Sequence, residues 1–415
     1  MKSVRSYTKP LVLKSFFIFF LFSCSSQTET ELQSGAEPQV VSSENDSIEK
    51  PLILGAERMG LYLPMLESKK VGFVGNQTSA IGKTHLVDTL KQLGVNLQVI
   101  FSPEHGFRGE ADAGEKVSSG IDQKTGIKVV SLYGNNKKPK AEDISGLDVV
   151  VFDIQDVGAR FYTYISTLHY VMETCAEQNV PLLVLDRPNP NGHYVDGPVL
   201  KKEYTSFVGM HSIPIVHGMT IGEYAQMING EAWLKNGAIC SLEVITCENY
   251  NRDLPYSLPV PPSPNLRTDA AIALYPSLCL FEGTVVSEGR GTEKPFEIFG
   301  HPKLPADRYP YSFTPKPGFG SKSPKLNGQK CNGLDLSSFG EEGMNELNID
   351  WLIDAYSDFQ GDDFFITKNR WFDILAGTDE LRKAIVAGKT AEEIRASWQT
   401  EIKLFKQKRE KYLLY

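Results

Sequence analysis

Short, mostly apolar runs alternate with longer stretches of helical spacing from about residue 70 onwards. The apolar runs have the length of buried parallel strands, and they fall at 71–74, 97–101, 127–131, 149–152, 181–185 and 213–216. Apolar residues with helical spacing follow three of these runs, at 84–93, 163–178 and 220–233. An alternation of strands with helices predicts βαβ units and therefore a Rossmann-like parallel sheet.

A proline-rich segment at 259–265 interrupts this alternation. Four of its seven residues are proline, which fits neither a helix interior nor a central strand. Beyond it the pattern predicts a helix near 269–280 and mainly helical structure towards the C-terminus, where Thr390 and Glu393 form a capping box. We therefore predict an α/β fold, with a Rossmann-like domain at 51–262 and a smaller, mainly helical α+β auxiliary domain at 263–415.

Residues 1–24 predict a secretory signal. Four basic residues precede an apolar run at 16–22, which is too short for a permanent transmembrane helix. The run ends at Ser23-Cys24, which resembles a bacterial lipoprotein cleavage box with Cys24 as the lipidated residue; an ordinary signal peptide is the alternative. Residues 25–50 are polar and predict a disordered tether. We expect a cell-envelope lipoprotein, at the outer membrane or in the periplasm, that meets the membrane only through this anchor.

Composition narrows the range of partners. The net charge of −8, without a basic cluster, argues against nucleic acid. The proportions of hydrophobic residues, 41%, and charged residues, 23%, are ordinary for a globular protein. The five cysteines beyond Cys24 are too sparse for a disulfide scaffold, and Cys240 and Cys247 do not have zinc-site spacing. The oligomeric state is left open.

Polar side chains follow the ends of several predicted strands. Because parallel strands end at one edge of a sheet, these side chains are expected to meet in a crevice there. The candidates are Asn76, Gln77, Glu104, His105, Arg108, Asp153, Asp156, Arg160, Tyr162, Asn189 and His217. Amides and carboxylates bind hydroxyl groups, aromatic faces stack on sugar rings, and a pair of carboxyl groups is what glycoside hydrolysis requires. The pattern favours a saccharide site.

Several other chemistries lack their motifs. Six residues separate Gly75 from Gly82-Lys83, where a phosphate-binding loop has four, and neither a nucleophile elbow nor a dinucleotide fingerprint is present. Residues such as Glu104, His105 and Asp186 could form a metal site, but no helical histidine pair supports one. We predict neither a metal nor a cofactor.

Four segments resemble the NamZ exo-β-N-acetylmuramidase family. They read SPEHGFRG at 102–109, FDIQDVGARFYTY at 152–164, DRPNP at 186–190 and EGTVVSEGRGT at 282–292. The resemblance runs from about Leu52 to the C-terminus. It implies a Rossmann-like catalytic domain with an auxiliary domain, and a cleft between them that releases terminal, non-reducing N-acetylmuramic acid from peptidoglycan fragments during cell-wall turnover or muropeptide salvage.

The resemblance also implies roles for individual residues. The catalytic glutamate of the family falls on Glu104, which would protonate the leaving oxygen. A second carboxylate, from Asp153, Asp156 or Glu288, would act as nucleophile or would orient the acetamido group of the substrate. The lactyl carboxylate of muramic acid calls for an arginine, and Arg290 is favoured over Arg108 and Arg160 because its glycine neighbours would let a ligand approach closely. A metal-dependent α/β hydrolase and a non-catalytic muropeptide-binding lipoprotein are the alternatives.

Overall fold

A mostly parallel sheet organises the computed structural model, which describes residues 50–104, 106–109 and 119–415. Its strand order is β5-β6-β4-β1-β7-β8-β9, and within it only β5 pairs in the antiparallel sense. The strands of the described residues are β1 (Val71–Gly75), β2 (Ala80–Ile81), β3 (Thr84–His85), β4 (Leu97–Ser102), β5 (Gly120–Ile121), β6 (Lys128–Ser131), β7 (Val149–Asp153), β8 (Leu182–Leu185), β9 (Leu242–Ile245), β10 (Ile298–His301), β11 (Tyr311–Phe313) and β12 (Cys331–Asp335).

Helices cover both faces of this sheet, as a parallel sheet requires. In the described residues they are α1 (Met59–Leu66), α2 (Leu86–Gln92), α3 (Ala141–Ile144), α4 (Tyr164–Gln178), α5 (Ile221–Gly230), α6 (Asp269–Leu278), α7 (Ser337–Glu341), α8 (Asp350–Asp358), α9 (Trp371–Ala376), α10 (Glu380–Val386) and α11 (Ala391–Arg409). The predicted α/β fold is confirmed. No helix in this part of the chain has both the length and the apolar composition needed to cross a membrane.

Local sequence explains where several helices begin. Thr220 accepts a hydrogen bond from the Glu223 amide at 3.3 Å, and the Glu223 carboxylate accepts one from the Thr220 amide at 2.9 Å, which completes a capping box for α5. The predicted capping box of Thr390 and Glu393 forms in the same way at α11. The caps satisfy amide groups that have no partner inside the helix.

The predicted strand at 213–216 is wrong. Its backbone makes only isolated bridges, from Val216 to Ala159 and to Asp196. Ile213 and Ile215 are fully buried, so their apolar character reflects packing rather than strand pairing. The sheet instead ends on β9, whose pattern of half-buried residues was not recognised as a strand.

The region after the sheet contains a small antiparallel sheet, in the order β10-β12-β11, surrounded by α6–α11. One cluster of buried apolar side chains runs through both regions and includes Phe101, Phe152, Phe299 and Trp398. Lys50–Tyr415 accordingly forms one compact unit. The predicted domain boundary between residues 262 and 263 stays a prediction.

Candidate active site

Three central strands bring the candidate loops together. Along the chain, strands are added first on one side of β1, as β4 and β6, and then on its other side, as β7, β8 and β9. Because the direction of addition changes beside β1, a crevice lies at the carboxyl ends of β4, β1 and β7. Such crevices are where α/β proteins usually bind ligands. The loops that follow these strands begin at residues 103, 76 and 154.

A small cavity of about 70 Å³ opens at this crevice. Glu104 and Arg290 are the charged residues of its wall. The lining residues are Glu104, Phe161, Tyr162, Thr163, Tyr164, Ser263, Leu266, Tyr275, Arg290 and Phe296.

Aromatic rings form most of the wall, and they pack edge to face. Tyr162 lies with its ring centre 4.8 Å from that of Tyr164 and 5.8 Å from that of Tyr275. Tyr275 also contacts Phe161 at 5.4 Å and Phe296 at 5.0 Å. Such contacts fix ring orientation, so the wall keeps its shape without a ligand. A rigid aromatic wall suits the apolar face of a sugar ring.

Glu104 stands at the end of β4, where Pro103 prevents the strand from continuing. Burial raises the pKa of the Tyr164 hydroxyl above its ordinary value, and the negative charge of Glu104 raises it further. The Glu104 and Tyr164 side chains line the same cavity. A carboxyl group in this position can exchange a proton with a bound ligand.

The Pro262 carbonyl ties the proline-rich segment to the sheet edge. It accepts hydrogen bonds from Tyr162 at 2.8 Å, from Tyr164 at 3.2 Å and from the Gln77 side chain at 3.1 Å. The segment continues into Ser263 and Leu266, which line the cavity. Tyr162 is thus part of the wall, and its substrate-binding role stays a prediction, whereas the Gln77 amide nitrogen donates to the protein itself.

Arg290 enters the cavity wall between two carboxylates. Its Nη2 donates to Glu282 at 2.8 Å, and its Nε lies 3.4 Å from Glu288. Its guanidinium carbon lies 4.9 Å from the centre of the Phe296 ring. Glu288 is buried behind Arg290 and pairs with Lys325 at 2.6 Å, so it supports Arg290 rather than facing the cavity.

The glycines beside Arg290 do not leave room for a ligand, contrary to the prediction. A Cβ atom on Gly289 would lie 2.6 Å from the Lys294 carbonyl oxygen, and one on Gly291 would lie 2.6 Å from that of Lys316. Both glycines also have positive φ angles, of 84° and 79°. They allow the protein's own backbone to pack closely around Arg290.

Asp153 does not face the cavity. Its two carboxylate oxygens accept hydrogen bonds from Arg187 at 2.6 and 3.0 Å, and the side chain is fully buried. A bidentate arginine pair neutralises a buried carboxylate and occupies both of its oxygens. The predicted catalytic role of Asp153 does not fit this position.

Asp156 and His217 form a second buried pair behind the wall. Asp156 Oδ2 accepts a hydrogen bond from the Gly158 amide at 2.7 Å and lies 3.8 Å from His217 Nε2. Burial raises the pKa of Asp156 to about 7. Burial, with the positive charges of Arg409 and Arg160, lowers the pKa of His217 to about 3. Neither side chain lines the cavity, so their predicted catalytic and substrate-binding roles do not fit.

Two of the three candidate arginines serve the fold. Arg160 is fully buried and donates to the carbonyl groups of Pro198, Ile213 and Leu375 at 2.8, 2.8 and 3.0 Å. Arg108 is half-buried and pairs with Asp122 at 2.8 Å and with Asp88 at 3.1 Å. The predicted substrate-binding roles of Arg160 and Arg108 do not fit these contacts, and Arg290 is the candidate arginine that lines the cavity.

The predicted asparagines also have structural partners. Asn76 Oδ1 accepts hydrogen bonds from the amide and the hydroxyl of Thr78 at 2.9 and 2.6 Å. Asn189 donates to the Met219 carbonyl at 2.9 Å and accepts from the Asn191 amide at 2.8 Å. Both asparagines are buried outside the cavity lining. The predictions for His105 and Cys24 lie outside the described residues.

Sequence reasoning missed Tyr275 and Phe296, which complete the aromatic wall. Tyr275 lies on α6 within the apolar run ALYPSLCLF at 273–281 and looks like a core residue. Phe296 adopts a positive φ angle of 58°, a conformation uncommon outside glycine, asparagine and aspartate. Only the closeness of Phe296 in sequence to Arg290 could have suggested its role.

Within the described ranges, no group of three or more His, Cys, Asp and Glu side chains is arranged to hold a metal ion. The cavity wall carries a carboxyl group, from Glu104, and a guanidinium group, from Arg290. A carboxyl group can transfer a proton, and a guanidinium group can bind an anion.

Two family models match this chain along most of its length. The model described as exo-β-N-acetylmuramidase NamZ, N-terminal, matches residues 71–270, and its C-terminal counterpart matches residues 273–415. The peptidoglycan β-N-acetylmuramidase NamZ of Bacillus subtilis strain 168 is 38% identical over 373 residues, which cover 85% of this chain and 89% of that protein.

Two crystal structures from Bacteroides fragilis, both of proteins of the DUF1343 family, share this architecture. One is 46% identical with a TM-score of 0.80, and the other is 28% identical with a TM-score of 0.74. Each comparison covers 88% of this chain and 99% of the other. The similarity therefore extends over the sheet, the cavity and the C-terminal region together.

Proposed function

We propose a function from one premise: this chain belongs to the family of the exo-β-N-acetylmuramidase NamZ. It is a glycosidase that acts on peptidoglycan fragments and releases their terminal, non-reducing N-acetylmuramic acid. The observation that carries the proposal is the cavity in which Glu104 and Arg290 share an aromatic wall. A single saccharide needs an apolar surface for its ring, an acid for its glycosidic oxygen and, for muramic acid, a cation.

Glu104 is the proposed general acid. Its carboxyl group gives a proton to the glycosidic oxygen as the bond from C1 to that oxygen breaks, and the remaining fragment leaves as an alcohol. Two routes can complete the reaction. If the acetamido oxygen of the substrate attacks C1 first, water then enters on the side of the departed group, adds a hydroxyl group to C1 and gives its other proton to the Glu104 carboxylate, so the anomer is retained. If water attacks C1 directly, it enters from the opposite face, its other proton goes to a second base or to solvent, and the anomer is inverted; NMR of the first-formed sugar distinguishes the two routes.

Arg290 is the proposed selector for muramic acid. Its contacts with Glu282 and Glu288 use Nη2 and Nε, and we assign Nη1 to the lactyl carboxylate. Burial alone would lower the pKa of Arg290, but Glu282 and Glu288 raise it above its ordinary value. The guanidinium stays charged, and the two glutamates hold its plane against Phe296.

Substitution of Glu104 by glutamine tests the assignment. Hydrolysis of the disaccharide N-acetylmuramyl-N-acetylglucosamine should fall by roughly 10² to 10⁴, because its sugar leaving group needs a proton. Hydrolysis of 4-nitrophenyl N-acetyl-β-muramide should fall much less, because nitrophenolate leaves without one. Glu392→Gln, an exposed position on α11, is the matched control and should behave as the wild type.

Two results would contradict the proposal. Equal losses on both substrates in Glu104→Gln would show that Glu104 is not the general acid. A wild-type protein that releases no muramic acid would show that the chain is not a hydrolase and would favour the alternative of a non-catalytic muropeptide-binding protein. A metal-dependent hydrolase would lose its activity on dialysis against EDTA and regain it with added metal. We expect full activity after such dialysis.

We further propose that the protein is a lipoprotein of the cell envelope, anchored through Cys24 and held away from the membrane by residues 25–50. The sequence pattern of the first 24 residues supports this, as does the polar composition of the segment that follows. Such a location would place the cavity among the peptidoglycan fragments that the enzyme hydrolyses.

A further inference from the structure

Phe319 is the most exposed aromatic side chain in the described part of the chain. It leaves 63% of its surface open to solvent, whereas the other described aromatic residues are buried or half-buried. Single exposed apolar side chains are common on protein surfaces, so the surroundings of Phe319 decide what it can do.

The backbone around Phe319 is held in a tight turn. Gly318 and Ser321 exchange backbone hydrogen bonds at 3.0 and 3.1 Å, which places Phe319 at the tip of the turn. The Phe319 carbonyl accepts a hydrogen bond from Arg267 at 2.9 Å, and the Gly320 carbonyl accepts one from Asn265 at 2.7 Å. The exposed ring therefore stands on a fixed backbone.

The residues that hold this turn are neighbours of the cavity wall. Asn265 and Arg267 flank Leu266, which lines the cavity. The Lys316 amide donates to the Gly291 carbonyl at 2.9 Å, directly after Arg290. The turn is thus tied by hydrogen bonds to both segments that carry wall residues on the C-terminal side.

The Arg267 guanidinium group packs against one face of the Phe319 ring. The Arg267 guanidinium carbon lies 5.5 Å from the ring centre, and its Nε donates to the Pro264 carbonyl at 2.6 Å. A cation stacked on one face restricts the ring and leaves the opposite face for another contact. Aromatic faces of this kind bind the apolar face of a saccharide ring.

The size of the cavity indicates what would cover Phe319. The cavity has a volume of only about 70 Å³, so a peptidoglycan fragment bound there must extend beyond it. We propose that Phe319 is a stacking platform for the sugar ring on the leaving side of the scissile bond, and that it makes the enzyme favour saccharide leaving groups. This inference rests on the proposed exo-muramidase function.

The platform is tested with two substrates that differ only in their leaving group. N-acetylmuramyl-N-acetylglucosamine carries a sugar that can reach Phe319, whereas N-acetyl-β-muramyl fluoride carries a single atom. Phe319→Ala should lower kcat/KM for the disaccharide roughly three- to tenfold, mainly through KM, and should leave the fluoride unchanged. Phe319→Trp, which keeps a stacking face, should retain the wild-type preference.

Leu404→Ala is the matched control, since Leu404 is another exposed apolar side chain, 60% accessible, on a helix that contributes no lining residue. It should change neither substrate. Equal changes on both substrates in Phe319→Ala, or no change on either, would overturn the platform. If the wild type hydrolyses neither substrate, the proposed function itself is wrong, which separates the two failures.

Discussion

The buried pair of Asp156 and His217 predicts a stability difference with a distinctive dependence on pH. Asp156 has its pKa raised by burial from an ordinary 3.8 to about 7, so it stays protonated in the folded protein at mildly acidic pH. His217 has its pKa lowered by burial from 6.5 to about 3, so it stays neutral there. Between about pH 4 and 6.5 the folded pair holds one proton on Asp156, and the unfolded pair holds one on His217. In the wild type the contributions of Asp156 and His217 to the pH dependence of the unfolding free energy therefore cancel over this range.

Substitution of Asp156 by asparagine removes one side of this balance. A carboxyl group with a raised pKa stabilises the fold below its unfolded-state pKa and loses that contribution as the pH rises through its folded-state pKa. The interval from 3.8 to about 7, at about 1.4 kcal/mol per pH unit, amounts to about 4 kcal/mol. The free energy of unfolding of Asp156→Asn, minus that of the wild type, should therefore increase by about 4 kcal/mol between pH 4 and 7.

Urea unfolding followed by tryptophan fluorescence at each pH measures this difference. His217→Asn is the matched control of opposite sign, because its difference from the wild type should decrease as the pH rises from about 3 to 6.5. A difference for Asp156→Asn that stays constant with pH would refute the buried, protonated carboxyl group. The same variant should keep most of its muramidase activity, since Asp156 lies behind the aromatic wall; loss of activity in a folded protein would restore it as a catalytic residue.

Two further predictions concern selectivity and location. Arg290→Ala should raise KM for muramic acid substrates roughly tenfold or more while leaving N-acetylglucosamine analogues almost unchanged, as steady-state kinetics on both sugars would show; undiminished discrimination would remove Arg290 as the selector. Cys24→Ala should abolish the incorporation of radiolabelled palmitate and move the protein from the membrane fraction to the soluble fraction of the envelope, and continued labelling would refute the assignment of Cys24.

The position of Glu104 could be predicted because it depends on a general property of parallel sheets. Strands of one direction end at one edge, so the residues after β1, β4 and β7 had to lie at the same edge of the sheet, and the strand order β4-β1-β7 makes them neighbours. The period and length of the apolar runs were sufficient to recognise these strands. The strand 213–216 was predicted on the same criterion and failed, because a buried irregular segment has the same apolar composition.

The roles of Asp153 and Arg160 depend on partners that sequence does not reveal. Asp153 meets Arg187 because β7 and β8 pair side by side, which brings together residues that are 34 positions apart. Arg160 reaches a carbonyl group 215 positions away, at Leu375. A polar residue after a strand can face a ligand or neutralise a buried group, and only the tertiary contact distinguishes the two.

The proline-rich segment at 259–265 is held in place by hydrogen bonds to its backbone. The Pro262 carbonyl accepts hydrogen bonds from the side chains of Gln77, Tyr162 and Tyr164. Proline restricts the unfolded chain, so fixing this segment costs less conformational entropy than fixing an ordinary loop. Tyr162 and Tyr164 therefore join the Rossmann-like region to the segment that leads to α6. These hydrogen bonds fix the part of the cavity wall that contains Glu104 relative to the part that contains Tyr275. A cavity assembled in this way is in place before substrate arrives, which is the condition under which a single carboxyl group can be aimed at a glycosidic oxygen.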